Sequence, residues 1–284
     1  MELKILHRTE YQYSSAARDS VNEIKLRPRD TKSQKCLSSI LSILPPASPA
    51  PYSDLYGNRA HYVEIPEAHD RLVVEARIRM TTSPAIDFEK LPYGVAMSSL
   101  IKLKGRDDCH PYLQSSPYVD VNPAVWREAV DIMADSSDVF QTSYAIMAFI
   151  FAEYNYQPGA THVSTHANEV IKKRKGVCQD FAHAMVAFCR SLKIPARYVS
   201  GYFFDATRDH SLRGSEATHA WVEVFVEGHG WIGLDPTNNK VIDDTYIVLA
   251  VGRDYTDVAP ISGSYFGGGT SLLTVHVAVR KVHG

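Results

Sequence analysis

The sequence predicts an α+β protein in which helices pack against an antiparallel sheet and a β-rich module comes first. Residues 72–80 alternate apolar and charged side chains, the period-2 pattern of a half-buried strand. Residues 122–192 instead repeat apolar side chains at helical spacing, and strand-like segments return after Pro195. We therefore predict an N-terminal β-rich module over residues 1–82 and a core over residues 83–284 that includes the C-terminal strands.

Turn and cap signals mark the individual elements. Gly57 and Asn58 supply the turn of a hairpin in the N-terminal module. Asn122 followed by Pro123 predicts the start of the first helix, and a second helix follows over residues 140–154. Thr165 is interpreted as the cap of a third helix that stops at Gly176. The fourth helix begins near Cys178 and ends before Pro195.

Composition excludes several classes of partner. The chain has 284 residues, with 30 Lys and Arg against 32 Asp and Glu, so no bulk positive charge would attract nucleic acid. The longest apolar stretch, residues 144–152, is too short to cross a bilayer, and charges interrupt the apolar residues at the N-terminus. We expect a cytoplasmic protein with no membrane contact. The four cysteines lack C-x-x-C spacing, which favours reduced thiols.

Cys178 is the first candidate for chemistry. It follows a Gly-Val step and begins an apolar helix, where unpaired backbone N–H groups and the helix dipole favour a nucleophilic thiolate. The same N–H groups could stabilise an oxyanion, and Gly176 would leave substrate an unobstructed approach. From this helix alone, a simply buried cysteine is an equally open interpretation. Cys189, amid apolar neighbours on the same helix, fits that interpretation better.

A thiolate nucleophile needs a base and an acceptor that orients the base. His219 opens one predicted strand, a connection over residues 227–230 turns the chain, and Asp235 ends the next strand. With four unpaired loop residues, Asp235 would lie opposite Val222, so the pairing requires a bulge or a shifted register. Cysteine, histidine and aspartate in that order favour a catalytic interpretation.

Two long motifs carry a resemblance to a known family. They are GVCQDFAHAMVAFCRSLKIPARYVSGYFF and THAWVEVFVEGHGWIGLDPTNN, and together they closely resemble bacterial cysteine proteases of the transglutaminase-like superfamily. KLRPRD and DLYGNRAHYVEI resemble the family's N-terminal β-module, and VGRDYTDVAPISGSYFGGG resembles its C-terminal segment. The resemblance implies a papain-like (transglutaminase-like) core and assigns a catalytic triad to Cys178, His219 and Asp235. It does not choose between peptide hydrolysis, glutamine cross-linking and cleavage of glycan amides.

Other residues near the predicted site are weaker candidates. The backbone N–H of Cys178 is one expected oxyanion donor, and Gln179, Tyr202 and Trp221 are candidates for substrate contact or the second donor. Asp180 is interpreted as an acid favoured by the dipole of the first helical turn. The polar segment around residues 253–257 is either a surface loop or, as the resemblance implies, a neighbour of the site.

No metal or cofactor is expected. His162 and His166 are four residues apart, but a helix boundary at Thr165 separates them. His183 is interpreted as a helix residue turned away from the chemistry. No acidic loop supports a calcium requirement.

These observations predict a cysteine-dependent amide or peptide hydrolase that acts on a peptide or protein amide through a thioester acyl-enzyme. A protein-glutamine amine-transferase with the same triad, and a binding module without activity, are the alternatives. The oligomeric state and the natural substrate stay open.

Overall fold

The structure is a computed structural model that describes residues 1–205, 218–267 and 269–282. Two antiparallel sheets pack together, and helices cover the second sheet. The N-terminal strands are β1 (Glu2–Arg27), β2 (Gln34–Leu44), β3 (Ala50–Ser53), β4 (Arg59–Ile65) and β5 (His69–Thr82). Short 3₁₀ helices at Met97–Leu103 and His110–Leu113 connect them to the core.

The core elements follow in an order of helices and then strands. They are α1 (Pro123–Met133), α2 (Val139–Glu153), β6 (Asn155–Tyr156), α3 (Ala167–Lys173), β7 (Lys175–Gly176), α4 (Cys178–Ser191), β8 (Ala196–Phe203), β9 (His219–Val226), β10 (Gly230–Asp235), β11 (Lys240–Val241), β12 (Tyr246–Gly252), α5 (Tyr255–Val258), β13 (Ile261–Phe266) and β14 (Ser271–Lys281). The predicted α+β class is confirmed.

Local sequence explains where two helices begin. The Asn122 side chain accepts hydrogen bonds from the backbone N–H groups of Ala124 and Val125, and Pro123 occupies the first turn, as predicted for α1. The predicted cap of α3 is wrong by one residue. His166 caps that helix through its ring nitrogen, whereas Thr165 accepts from the backbone N–H of His162.

The long strand β1 organises the N-terminal sheet. Its first half pairs with β5 and β14, and its second half pairs with β4 and β13. The register against β5 shifts between Gln12 and Ala17, and Asp19, with a φ of 49°, lies where the register against β13 shifts between Arg18 and Val21. Strands β13 and β14 therefore belong to the N-terminal sheet. The prediction that placed the C-terminal strands with the core is wrong, because alternation marks a strand but does not name its partner.

The core sheet has the order β11-β10-β9-β8-β12, and α4 packs against β9 and β8. Nearly all of α4 is buried, including the apolar side chains Phe181, Met185 and Phe188. A helix enclosed on most sides is held in a fixed position by packing. The N-terminus of α4 is consequently held against the sheet.

Two amide side chains join the N-terminal sheet to the free edge of β12. Gln34 donates to the carbonyl of Val248 and accepts from its N–H, at 2.7 and 2.8 Å. Asn58 makes the same pair of bonds with Val251, both at 2.8 Å. Each amide takes the place of a neighbouring strand at this edge, so the N–H and carbonyl groups of Val248 and Val251 are satisfied.

Candidate active site

Cys178 is the first residue of α4 and is half-buried. Val177 before it has an extended backbone, and Asp180 Oδ2 accepts the N–H of Val177 at 2.7 Å. This bond fixes the chain at the point where it enters the helix. In the first turn, the N–H of Asp180 donates to the Val177 carbonyl at 3.0 Å, whereas the N–H groups of Cys178 and Gln179 have no carbonyl four residues earlier in the helix to bind.

Asp180 is a fully buried carboxylate beside the candidate nucleophile. Its Oδ2 also accepts the hydroxyl of Thr161 at 2.6 Å. Burial raises the pKa of Asp180, and the bonds from Thr161 and Val177 oppose that shift. A Cβ at Gly176 would lie 2.5 Å from Asp180 Oδ2. Gly176 therefore makes room for this carboxylate, which corrects the expectation that it leaves space for substrate.

His219 and Asp235 are joined by a buried hydrogen bond. His219 Nε2 lies 2.8 Å from Asp235 Oδ2, and both side chains are fully buried. The hairpin turns over residues 227–229, and the ladder pairs Gly230 with Val226 through to Leu234 with Val222. No bulge interrupts it. The register is shifted by one residue from the four-residue loop that the sequence suggested.

The regular register brings the two side chains together diagonally. It places Asp235 level with Trp221, and His219 lies two residues along the same strand. Alternate residues share one face of a strand, and diagonal neighbours are within reach of long side chains. The stacking of the His219 and Trp221 rings, with centroids 6.1 Å apart, agrees with this placement.

Three further groups donate hydrogen bonds to the Asp235 carboxylate. Two of them are side chains, and neither was identified from the sequence. Tyr246 Oη donates to Oδ2 at 2.9 Å, and Asn238 Nδ2 donates to Oδ2 at 2.8 Å. The backbone N–H of Thr237 donates to Oδ1 at 2.8 Å. Asn238 follows Asp235 by three residues, so the local turn could have indicated it. Tyr246 comes from β12, and no sequence signal connects it to Asp235.

An aromatic enclosure surrounds the imidazole of His219. The rings of Phe203, Trp221 and Tyr246 have their centroids 5.1 to 6.1 Å from it. Burial by itself lowers the pKa of His219, but the charge and hydrogen bond of Asp235, with a smaller contribution from Cys178, raise it to about 10. Burial likewise raises the pKa of Asp235, and the interaction with His219 outweighs it, so the net direction is downward.

The thiol of Cys178 is the remaining neighbour of the imidazole. Its interactions with His219 contribute to the raised pKa of His219. Nε2 is occupied by Asp235, and Nδ1 has no hydrogen-bond partner among residues 1–205, 218–267 and 269–282. Nδ1 is therefore the nitrogen that can exchange a proton with the sulfur. The structure joins His219 to Asp235 by a hydrogen bond and places the Cys178 thiol close enough to influence the imidazole.

The three weaker candidates, Tyr202, Gln179 and Trp221, have different surroundings in the structure. Tyr202 is wrong as a site residue because its hydroxyl bonds His7 Nδ1 at 2.9 Å, in the core between the two sheets. The Gln179 amide points to the carbonyl of His162, at 3.5 Å. Trp221 packs against His219, and its Nε1 is buried without a partner among the described residues. For Gln179 and Trp221, a substrate contact or an oxyanion role stays a prediction.

The segment over residues 253–257 packs against α4 and is not a free surface loop. Asp254 is fully buried and accepts the N–H of Tyr118 at 2.9 Å. The N–H of Tyr255 donates to His183 Nε2 at 3.2 Å, which leaves the proton of the neutral ring on Nδ1. Burial lowers the pKa of His183 to about 4, so the ring is neutral. His183 thus connects this segment to the helix that carries Cys178.

Comparison with known proteins identifies the family of this chain. The model of the transglutaminase-like superfamily matches residues 128–236, and the model of the bacterial transglutaminase-like N-terminal region matches residues 3–81. An uncharacterized protein of Mycobacterium tuberculosis is 33% identical over 300 residues, which cover 99% of this chain and 93% of the relative. The chain belongs to the transglutaminase-like superfamily. An uncharacterized relative in Mycobacterium leprae is 32% identical and covers 99% of each chain.

A solved structure and one named enzyme extend the comparison within the transglutaminase-like superfamily. The structure, described as a "Putative Cysteine Protease" from Cytophaga hutchinsonii, superposes with a TM-score of 0.79 at 26% identity. It covers 100% of this chain and 92% of its own. A protein-glutamine gamma-glutamyltransferase of Pseudomonas aeruginosa is 30% identical over 116 residues, 38% of this chain and 17% of that enzyme.

Membrane insertion by a helix has no support in the described ranges. Across residues 1–205, 218–267 and 269–282, none of the helices combines the length and the hydropathy that a bilayer crossing requires.

Proposed function

We propose that this member of the transglutaminase-like superfamily is a cysteine-dependent amide hydrolase that acts on peptides or proteins. The observation that carries the proposal is the buried pair of His219 and Asp235 beside half-buried Cys178, whose sulfur lies at a helix N-terminus. A nucleophile, a base and a group that orients the base are the parts that covalent acyl transfer needs. We assign those three roles to Cys178, His219 and Asp235, in that order.

The reaction divides into two steps. His219 takes the proton of the Cys178 thiol, the sulfur attacks the amide carbonyl to form a C–S bond, and the N–H groups at the start of α4 stabilise the developing oxyanion. His219 then delivers that proton to the leaving nitrogen as the C–N bond breaks, which leaves a thioester on Cys178. In the second step His219 takes a proton from water as the water oxygen forms a C–O bond to the acyl carbon. The C–S bond then breaks, the acid leaves, and the proton on His219 returns to the sulfur.

Asp235 keeps the imidazole in a productive orientation. It receives four hydrogen bonds, from His219, Tyr246, Asn238 and the N–H of Thr237. A carboxylate held this firmly fixes the ring and stabilises the imidazolium that forms during the reaction. The proton therefore moves at Nδ1, toward and away from Cys178.

Two observations bear on hydrolysis against amine transfer. The structural neighbour that covers the whole chain is described as a protease, which supports hydrolysis. The named glutamyltransferase matches only 38% of this chain and 17% of its own length, so its support for amine transfer rests on a part of each protein. Both reactions share the thioester and differ in whether water or an amine resolves it. We propose hydrolysis as the main activity and amine transfer as the alternative.

The deciding experiment incubates the protein with a glutamine-containing peptide and a fluorescent primary amine. Mass spectrometry then distinguishes acid product and peptide cleavage from amine incorporation. Acid or cleavage products alone support hydrolysis, and incorporation supports amine transfer. A C178A variant serves as the control. Turnover by C178A equal to that of the parent chain would rule out the thioester in both forms.

We also propose that the protein acts in the cytoplasm. All four cysteines are free, and no pair among them forms a disulfide. Reduced thiols are the usual state in that compartment. Fractionation of cells, with detection of the protein in the soluble cytoplasmic fraction, tests the location.

A further inference from the structure

The N-terminal sheet has one face buried on the core and one face exposed to solvent. Along β1, Leu3 and Ile5 are buried in the cluster between the sheets, whereas Lys4 between them is exposed. Side chains alternate across a strand, so residues paired with Lys4 lie on the exposed face. The strand register then determines which charges are neighbours there.

Three cations stand side by side on this face. Lys4 pairs with Arg79 of β5 on one side and with Arg280 of β14 on the other. Neighbouring strands are about 4.8 Å apart, and like charges directly opposite one another destabilise a sheet. Arg79 has an ion pair with Glu2. Among the residues that the structure describes, Lys4 and Arg280 have no ion pair. The row of Arg79, Lys4 and Arg280 is the cationic row.

The next row of the same face is mainly apolar. Leu6 pairs with Arg77 and Ala278, and Arg77 pairs in turn with Ile40 of β2. The two rows line a groove of about 490 Å³. Ile40, on the edge strand β2, is 61% exposed. An apolar floor therefore lies directly beside the cationic row.

A third row contains one arginine and one carboxylate, so it adds no net charge to this face. Arg8 pairs with Glu75 and with His276, and Glu75 accepts ion pairs from both Arg8 and Arg77. The five basic side chains of the three rows meet three carboxylates, those of Glu2, Glu10 and Glu75, so the excess charge comes from Lys4 and Arg280. The overall formal charge of the chain is −2. This face therefore carries a local excess of positive charge, although the net charge of the whole chain is negative.

We propose that the groove beside the cationic row binds an acidic peptide segment of a partner protein. A groove with an apolar floor and a charged wall suits an extended chain whose side chains alternate between acidic and apolar. Complementary charge would also offset the repulsion between Lys4 and Arg280. The face lies on the side of the sheet away from the core, so the peptide binds separately from the proposed active site.

The test measures fluorescence anisotropy of a labelled peptide that alternates glutamate and serine around a central leucine. We expect binding at low salt that weakens as ionic strength rises. An R280E substitution should raise the dissociation constant of the peptide about tenfold, because it reverses a charge in the cationic row. Lys281 is the matched control. It is the next residue on β14, pairs with Leu3 and lies on the other face, so K281E should change binding less than about twofold.

Thermal unfolding provides an independent measurement. R280E places a carboxylate opposite Lys4, so its midpoint should rise above that of the parent chain, and R280Q should rise less. K281E should show no such gain. A rise in stability together with a loss of peptide binding would show that the cationic row is retained for a ligand.

Three results would overturn the proposal. They are no peptide binding at low salt, equal losses in R280E and K281E, and a midpoint that falls in both R280E and R280Q. Vesicles containing phosphatidylserine are the final comparison. Binding to vesicles that depends on Arg280, without binding to the peptide, would assign the face to a lipid surface and reject the peptide.

Discussion

The two ends of helix α4 contrast in chemistry although each carries a cysteine. Cys178 is half-buried in the first turn and interacts with His219. Cys189, eleven residues further along, is fully buried, and burial raises the pKa of its thiol to about 12. The same side chain on the same helix is thus accessible at one end and inert at the other. Position, more than residue type, determines thiol reactivity here.

The C-terminal end of α4 is organised for structure. The guanidinium of Arg190 is fully buried and donates to the carbonyls of Ala196, Gln114 and Arg253. It joins the helix to a strand and two loops. Burial lowers the pKa of Arg190 to about 10, so the group remains charged at neutral pH. One end of the helix is thereby fixed while the other end presents the sulfur.

Substituting each cysteine in turn should give the largest difference in catalytic activity between the two ends of α4. C178A should lower kcat/KM for amide hydrolysis by about 10⁵-fold, since loss of a nucleophile removes the covalent pathway. C189A should retain activity within a few fold and lose stability, because it leaves a small cavity. Steady-state kinetics and thermal unfolding of both variants check this. Comparable activity losses would contradict the contrast.

Substituting the carboxylate tests the charge that supports the reactive end. D235N should lower kcat by about 10³-fold, because the amide no longer orients and stabilises the imidazolium. The Asp235 charge raises the pKa of His219, so its removal should move the alkaline limb of the pH–rate profile toward lower pH. A profile unchanged in D235N would argue against this coupling.

The free energy of unfolding should also depend on pH through the interaction between His219 and Asp235. The folded-state pKa of His219 is raised from 6.5 to about 10. The charged imidazole therefore stabilises the parent chain fully below pH 6.5, and this contribution is lost as pH rises toward about 10. D235N should lack that dependence. Unfolding free energies measured across this range provide the comparison.

Alkylation distinguishes the thiols without a substrate. Iodoacetamide at neutral pH should modify Cys178 faster than Cys189 by on the order of a hundredfold or more, because the buried thiol is neither accessible nor ionised. Peptide mapping by mass spectrometry gives both rates in one sample. Equal slow labelling at the two positions would count against an activated thiol.

The smallest expected effect comes from the tyrosine that supports Asp235. Y246F removes one of four hydrogen bonds to the carboxylate and should lower kcat by about tenfold, near the value of one bond to a charged group. Y202F is a matched control. It removes a buried hydroxyl that bonds His7 away from the site, so it should change stability and leave kcat close to that of the parent. A larger kcat loss in Y202F would contradict the assignment.

Much of the site could be predicted from local patterns. The apolar spacing of α4 and the strand signals around His219 and Asp235 indicated which elements carry the three residues, and the structure places those elements in contact. The register was not predictable, because the three-residue turn depends on backbone geometry. Tyr246 was also missed, since its strand meets Asp235 only after the sheet has assembled.

The sequence by itself determined the α+β class, the helix that begins at Cys178 and the order of the candidate catalytic residues, because periodicity and caps act over a few neighbouring positions. Only the tertiary structure decided that β13 and β14 join the N-terminal sheet, that Tyr202 bonds His7, and that Lys4 stands between two arginines. Those outcomes depend on pairing between distant segments, and a strand pattern specifies which side chains face inward without specifying which strand lies beside it.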